Sequence, residues 1–344
     1  MDALADEFDS QQRLVELELI NNRLQRQLAS AKAKSEALVS AVYQAAKDAA
    51  VVVGTPVSVP SPKKDKRKHP EACLIHLTDW QLGKKTEDYD TQIAISRVKE
   101  AVRKSIKLTE IQRADHPVTA AHLMLGGDLV ENVAIFPGQA YEVDSTSFDQ
   151  IFQASALVES AILSLLENFE SVHVWEVAGN HGRIGKKGDY PRKDNLDRIV
   201  GKIARDRLSS QTRLHWEEPT TWYQIVEIGN YRALLHHGDS IKSFGGNIPA
   251  FGILRKSIAW SSGVLPPFTD AYLGHFHQAM TLSLPGNEGG RVFVTPSTES
   301  GSEYAREFVA AKGHPAQRCH FIDPRRGRIT AEHLLYLDDM QKEE

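Results

Sequence analysis

Five short apolar runs in this chain each stop at a cluster of glycine, aspartate, asparagine or histidine. CLIHL runs into TDWQLG, and AAHLML into GGDLVEN. HVWEV runs into AGNHGR, ALL into HHGDS, and AYL into GHFHQ. Apolar runs of this length, bounded by turn formers, read as strands buried on both faces. Helical periodicity lies between them near 91–113, 146–168 and 195–208. Further strands are expected at 222–228, 279–284, 291–295, 319–323 and 328–336. Strand–helix alternation of this kind predicts an α/β layered domain with mixed sheets flanked by helices, its later half richer in strands.

The N-terminal part differs. From Leu14 through Asn21, Leu28 and Leu38 to Ala49, apolar and small residues recur at alternating spacings of three and four, with no proline or glycine between. That is a heptad seam, and Asn21 on it is suited to fixing register and oligomer state. Residues 1–50 are therefore read as a coiled-coil oligomerisation helix. A single amphipathic helix packed on its own domain is the other reading. Residues 51–71 carry four prolines and the cations Lys63, Lys64, Lys66, Arg67 and Lys68, a Pro-rich basic linker. The main domain is placed at 72–338, followed by a tail at 339–344.

Composition narrows the function classes. The formal net charge of -4 gives no global field for a polyanion, so any such attraction must be local. The two cysteines, Cys73 and Cys319, stand in no CxxC arrangement, which argues against a thiolate metal site or a disulfide framework. No signal-peptide pattern and no membrane-length apolar run is visible, so a cytoplasmic protein without membrane contact is expected.

Each cluster alone is an ordinary turn. Five of them at strand ends, where open α/β sheets gather their ligands, point to a shared site. Oxygen and imidazole donors without thiolate suit Mn²⁺, Fe or Zn²⁺, and a bridging carboxylate can hold two such ions. The order DWQ, GGD, GNH, HHG and GHFH resembles that of the calcineurin-like metallophosphoesterases, over roughly residues 72 to 300. Their pattern is D-x-H, G-D, G-N-H, H-G and G-H-x-H. Gln81 departs from it.

The resemblance implies a two-sheet metallophosphoesterase sandwich holding two divalent metal ions, Mn²⁺ first, with Mg²⁺, Fe or Zn²⁺ as alternatives. Asp79, Gln81, Asp128 and His277 would surround the first, with Asp128 bridging. Asn180, His237 and His275 would complete the second. Gln81 would turn a carbonyl oxygen to the first metal, weakening that position. A metal-bridging hydroxide would attack phosphorus, and His181 would act as general acid. Gly182 offers no side chain to orient His181, and Glu131 is expected at the surface or behind the ligands.

The segment GRIGKKGDYPRKDN places Arg183, Lys186, Lys187, Arg192 and Lys193 beside the site. With Asn132 these are the expected substrate contacts. Together with the seam and the basic linker they lean towards DNA, and look similar to SbcD-type DNA repair nucleases and their phage or bacterial relatives. Two further readings are a small-molecule or cyclic-nucleotide phosphodiesterase or phosphatase, and a non-catalytic coiled-coil assembly protein with a relict metal site.

Overall fold

The computed structural model describes residues 58–136, 138–185, 187–188, 190–242, 249–286, 289–299 and 314–338, together with Asn22, Arg23, Gln25 and Arg26. The chain divides into two units, Met1–Val53 and Gly54–Glu344. The heptad seam, apart from those four residues, lies outside the described residues. So do residues 51–57, Lys186 and the tail.

The larger unit is a mixed α/β sandwich of two sheets. The first sheet contains β1 (Glu71–Leu77), β2 (Val118–Leu125), β3 (Ser171–Glu176), β4 (Leu214–Glu217), β10 (Ala316–Asp323) and β11 (Arg328–Tyr336). Its order is β11-β10-β1-β2-β3-β4. The pairs from β1 to β4 are parallel, and the two on the β10 side are antiparallel. The second sheet, in the order β5-β6-β7-β9-β8, holds β5 (Tyr223–Ile228), β6 (Tyr231–His236), β7 (Asp270–Leu273), β8 (Met280–Ser283) and β9 (Arg291–Val294). Here β6, β7 and β9 run parallel.

Burial explains the unbroken apolar character of β1, all seven residues of which are buried. Ala72 and Leu74 point between the sheets, where they meet Tyr231, Tyr272 and Phe293 of the second sheet. Cys73 and Cys319 lie side by side as free thiols, Sγ to Sγ 3.6 Å. Helix α1 (Thr91–Gln112) packs on β1, β10 and β11, and α2 (Ser147–Asn168) packs on β3 and on α3 (Leu196–Arg207). Ala94, Val98, Ala101 and Ser105, at helical spacing, form the buried stripe of α1. Asp90 caps α1, Thr146 and Asp149 form a capping box on α2, and Asn195 caps α3. The outer face of the second sheet is covered by α4 (Ala250–Ala259), whose Ile253 packs with Leu234, Ala271 and Val292.

The expected strands and helices occur within a few residues of their expected bounds. Among the strands and α-helices of the described residues, two were not expected. β4 is a four-residue edge strand, and α4 carries Gly252 and has no side-chain cap.

His122, His173 and His215 stand opposite one another on β2, β3 and β4. Their rings stack, with 4.6 Å between centroids at each step. Burial pushes His122 down to about 3, and His173 adds to it. Burial and His215 likewise lower His173. The unfolded rings titrate near pH ~6.5, so the folded chain binds fewer protons below that value. The stability tied to these neutral rings is complete above pH ~6.5 and is lost as pH falls towards the folded value. Urea midpoints should therefore drop between pH 7 and pH 4, and His122→Phe, which keeps a ring in the stack, should flatten that drop. An unchanged slope in the variant would count against the ladder as its source.

Candidate functional site

Because β1, β2 and β3 are parallel, their carboxyl ends open at one edge. The parallel strands β6 and β7 bring theirs to the same place. Backbone bonds lock the loops together. Asp79 N–H donates to Gly127 O at 3.0 Å, Gln81 N–H to Asp128 O at 2.9 Å, and Gly274 N–H to His237 O at 2.9 Å. His275 N–H crosses from the second sheet to the Asp79 carboxylate at 2.9 and 3.1 Å.

The backbone here is strained. Among the described residues seven non-glycines have positive φ, and six of them are Asp79, Gln81, Asp128, Asn132, His275 and His277. Such left-handed residues persist only where surrounding contacts over-determine them, and they cluster at functional sites. The motif glycines make room for this. A Cβ on Gly179 would stand 2.0 Å from Asp128 Oδ1, and one on Gly274 2.2 Å from Asp79 Oδ2. The glycines before Asn180 and His275 thus admit the two carboxylates.

Asp128, His237 and His275 offer ligand atoms that all lie within 4.8 Å of one another, the cluster of this kind found among the described residues. His237 Nδ1–H donates to Gly126 O at 2.9 Å, which leaves Nε2 facing Asp128 Oδ2 at 3.0 Å and Asn180 Oδ1 at 3.1 Å. Asp128 Oδ2 receives no hydrogen bond from a neutral neighbour. Three acceptors therefore converge where a donor or a cation is required. Burial alone would lower the His237 pKa, but Asp128 outweighs it and lifts it to about 10. Burial and His237 push His275 down to about 4. Buried oxygen and imidazole acceptors around an orphaned carboxylate oxygen fit a divalent cation. His236 turns to the other face of β6, against Trp222 and Trp260.

Asp79, Gln81 and His277 form a second group. His277 Nε2 lies 3.3 Å from Asp79 Oδ1, and its Nδ1 lies 3.5 Å from Glu299 Oε2. Gln81 Nε2 sits 3.1 Å from His277 Nε2 and 3.3 Å from His181 Nε2, and its Oε1 faces Lys84 Nζ at 3.4 Å. This differs from the expectation that Gln81 turns a carbonyl oxygen inward: the lysine ammonium draws that oxygen away.

The partner that Gly182 lacks comes from another strand end. His181 Nδ1–H donates to the Glu131 backbone O at 3.3 Å, the Glu131 carboxylate Oε2 lies 3.1 Å from the same nitrogen, and that carboxylate is itself fixed by Gln139 Nε2–H at 2.9 Å. The Nε2 of His181 then points at the site, 4.0 Å from Asp128 Oδ2. Burial disfavours its charged form, but Asp128 and Glu131 prevail and raise its pKa.

Asp197, in the first turn of α3, was also not foreseen. Its carboxylate accepts from Asp128 N–H at 2.9 Å, Leu129 N–H at 3.0 Å and Gly179 N–H at 2.8 Å, clamping the loops after β2 and β3 together. Lys84 and Glu299 were missed as well. No sequence signal marks Glu299, whereas Glu131 shares a cluster with Asp128.

Of the expected substrate contacts, Asn132 acts as a brace. Its NH₂ donates to His181 O at 2.9 Å and Arg183 O at 3.1 Å, and its Oδ1 accepts from Val133 N–H at 2.8 Å. Arg183 lies over the half-exposed ring of Phe136, 5.3 Å from its centroid, and that ring is 5.1 Å from His181. Lys187 and Arg192 pair with Asp239, and Lys193 is exposed. A cavity of about 270 Å³ beside Asn180 is lined by Arg183, Lys187, Tyr190, Arg192, Lys193 and Trp222 among others.

No protein-family model matches the chain, and no curated protein matches it. Solved structures give distant likenesses. A single mutant of Vps29 from Entamoeba histolytica is 11% identical, with 76% of this chain and 99% of that one covered at a TM-score of 0.33. A conserved uncharacterized protein from Streptococcus pneumoniae, described as a predicted phosphoesterase, is 10% identical over 77% and 98%, at 0.32. A 5'-nucleotidase from Candida albicans is 9% identical over 82% and 54%, at 0.32. Likenesses of this size say nothing about chemistry, which rests on the side chains.

If Gly179 serves the approach of Asp128, Gly179→Ala should keep the far-ultraviolet spectrum and weaken Mn²⁺ binding by about 10–100-fold, read by metal titration. Binding equal to that of the parent would refute the close-approach role.

Proposed function

We propose that this chain is a metal-dependent phosphoesterase of the calcineurin-like type, cleaving phosphodiesters and most suited to DNA strands. The observation that carries the reading is the convergence of all five strand-end clusters on one point, in that family's order, with the His181 imidazole oriented there by Glu131. A divalent cation held by Asp128, Asn180, His237 and His275 would supply Lewis acidity towards a phosphoester oxygen and would acidify water.

The chain's own groups do the rest. Glu131 holds the Nδ1 proton of His181, so Nε2 is the atom that exchanges a proton with substrate. The raised pKa keeps a protonated fraction near neutral pH, and the leaving oxygen of a diester requires that proton. Asp197 fixes Asp128 and the loop carrying His181 relative to each other, so acid and cation site share one frame.

The polynucleotide reading is supported by the surroundings. Arg183, Lys187, Arg192 and Lys193 give a cationic wall next to Asn180. Phe136, between Arg183 and His181, presents a ring on which a base can stack. In this proposal the seam at 14–49 pairs two such sites.

The roles separate by leaving group. His181→Ala should lose about 10²–10⁴-fold on single-stranded DNA, whose leaving alkoxide needs a proton. It should lose much less on bis(p-nitrophenyl) phosphate, whose phenolate does not. Equal losses on both would remove His181 from the acid role. With Mn²⁺, hydrolysis of cyclic nucleotides or the chromogenic diester without any cleavage of DNA would defeat the nuclease reading.

A further inference from the structure

Resting on the phosphoesterase reading and deepening it, we infer that this chain binds one divalent cation tightly, at Asp128, Asn180, His237 and His275, and that the Lys84 ammonium and the Gln81 amide stand in place of a second ion.

The two carboxylates that would anchor two ions are in different states. Asp128 Oδ2 is buried with no hydrogen-bond donor other than a charged His237. Asp79 has both oxygens engaged within the protein. Thr78 Oγ1–H donates to Oδ2 at 2.6 Å, His275 N–H donates to both oxygens, and His277 Nε2 lies 3.3 Å from Oδ1. A cation beside Asp128 replaces one imidazole proton on an oxygen with no other donor, whereas both Asp79 oxygens already accept from Thr78 or the His275 N–H, with His277 Nε2 beside one of them.

The orientation of Gln81 points the same way. An ammonium only donates, so Lys84 Nζ at 3.4 Å requires Oε1 to face it. The amide nitrogen accordingly lies 3.3 Å from His181 Nε2 and 3.1 Å from His277 Nε2. Turning the amide over would set NH₂ against ammonium. The group aimed between His181 and His277 is therefore a donor, and an NH₂ group cannot ligate a metal.

Lys84 is held in place. Its ammonium pairs with Glu299 Oε2 at 3.0 Å, both side chains nearly buried, and Glu299 also faces His277 Nδ1. A fixed positive charge beside this position repels a second cation. The same charge, with the Gln81 NH₂, can meet a phosphoester oxygen that would otherwise lie on metal. Lysine and glutamine thus supply part of a cation's electrostatic work without its ligand chemistry.

The test counts metal and uses no substrate. The full chain is equilibrated with Mn²⁺ alone, and bound ions are counted by elemental analysis and native mass spectrometry. One ion per chain is expected, with any second binding about 100-fold weaker. His237→Ala should bring the count to none, and Asp79→Ala should leave it at one. The double variant Gln81→His with Lys84→Met should raise it to two. Two ions of similar affinity on the parent, or none, would overturn the inference. So would loss of the ion in Asp79→Ala with retention in His237→Ala, or a natively folded double variant still at one. A chain that holds one ion but cleaves no phosphoester would sink the phosphoesterase reading and leave this one standing.

Discussion

Three buried carboxylates, those of Asp79, Asp128 and Asp197, organise the region where the sheets meet. Burying such charge costs several kcal/mol unless hydrogen bonds replace water. Backbone N–H groups supply much of that replacement. His275 N–H serves Asp79, His181 N–H serves Asp128 at 2.7 Å, and three N–H groups serve Asp197. Each bond joins segments distant in sequence, so charge neutralisation and loop placement are one requirement. The left-handed backbone at Asp79, Asp128 and His275 follows from aiming these groups at a common point.

The division between what the sequence discloses and what it hides follows the range of the interactions. Strands such as Glu71–Leu77 are buried on both faces, so their composition marks them. The stripe Ala94, Val98, Ala101 and Ser105 marks α1 in the same way. β4 is an edge strand whose LHWE alternates in exposure over four residues, too few for a period to show. α4 is interrupted by glycine and lacks a capping side chain, so its ends carry no punctuation.

At the site, ligand types were legible because they sit beside glycines at strand ends. Their supports were not. Lys84 and Glu299 are 215 residues apart, and Asp128 and Asp197 69 apart, and only the fold makes them neighbours. Glu131 stands three residues after Asp128, but nothing local shows that it reaches His181. Gln81 could be read as a changed ligand, while the direction of its amide depends on Lys84 and a histidine 100 residues away.

The positive φ angles carry a consequence for how such a site tolerates change. Left-handed residues other than glycine cost roughly 1–2 kcal/mol each by Cβ crowding, with asparagine and aspartate penalised least. At His275 and His277 the residue that best suits the backbone is therefore not the one that brings an imidazole. A library of variants sorted for thermal resistance would drift there towards glycine and asparagine, while one sorted for turnover would keep histidine. At these two positions heat tolerance and chemistry pull the sequence in opposite directions.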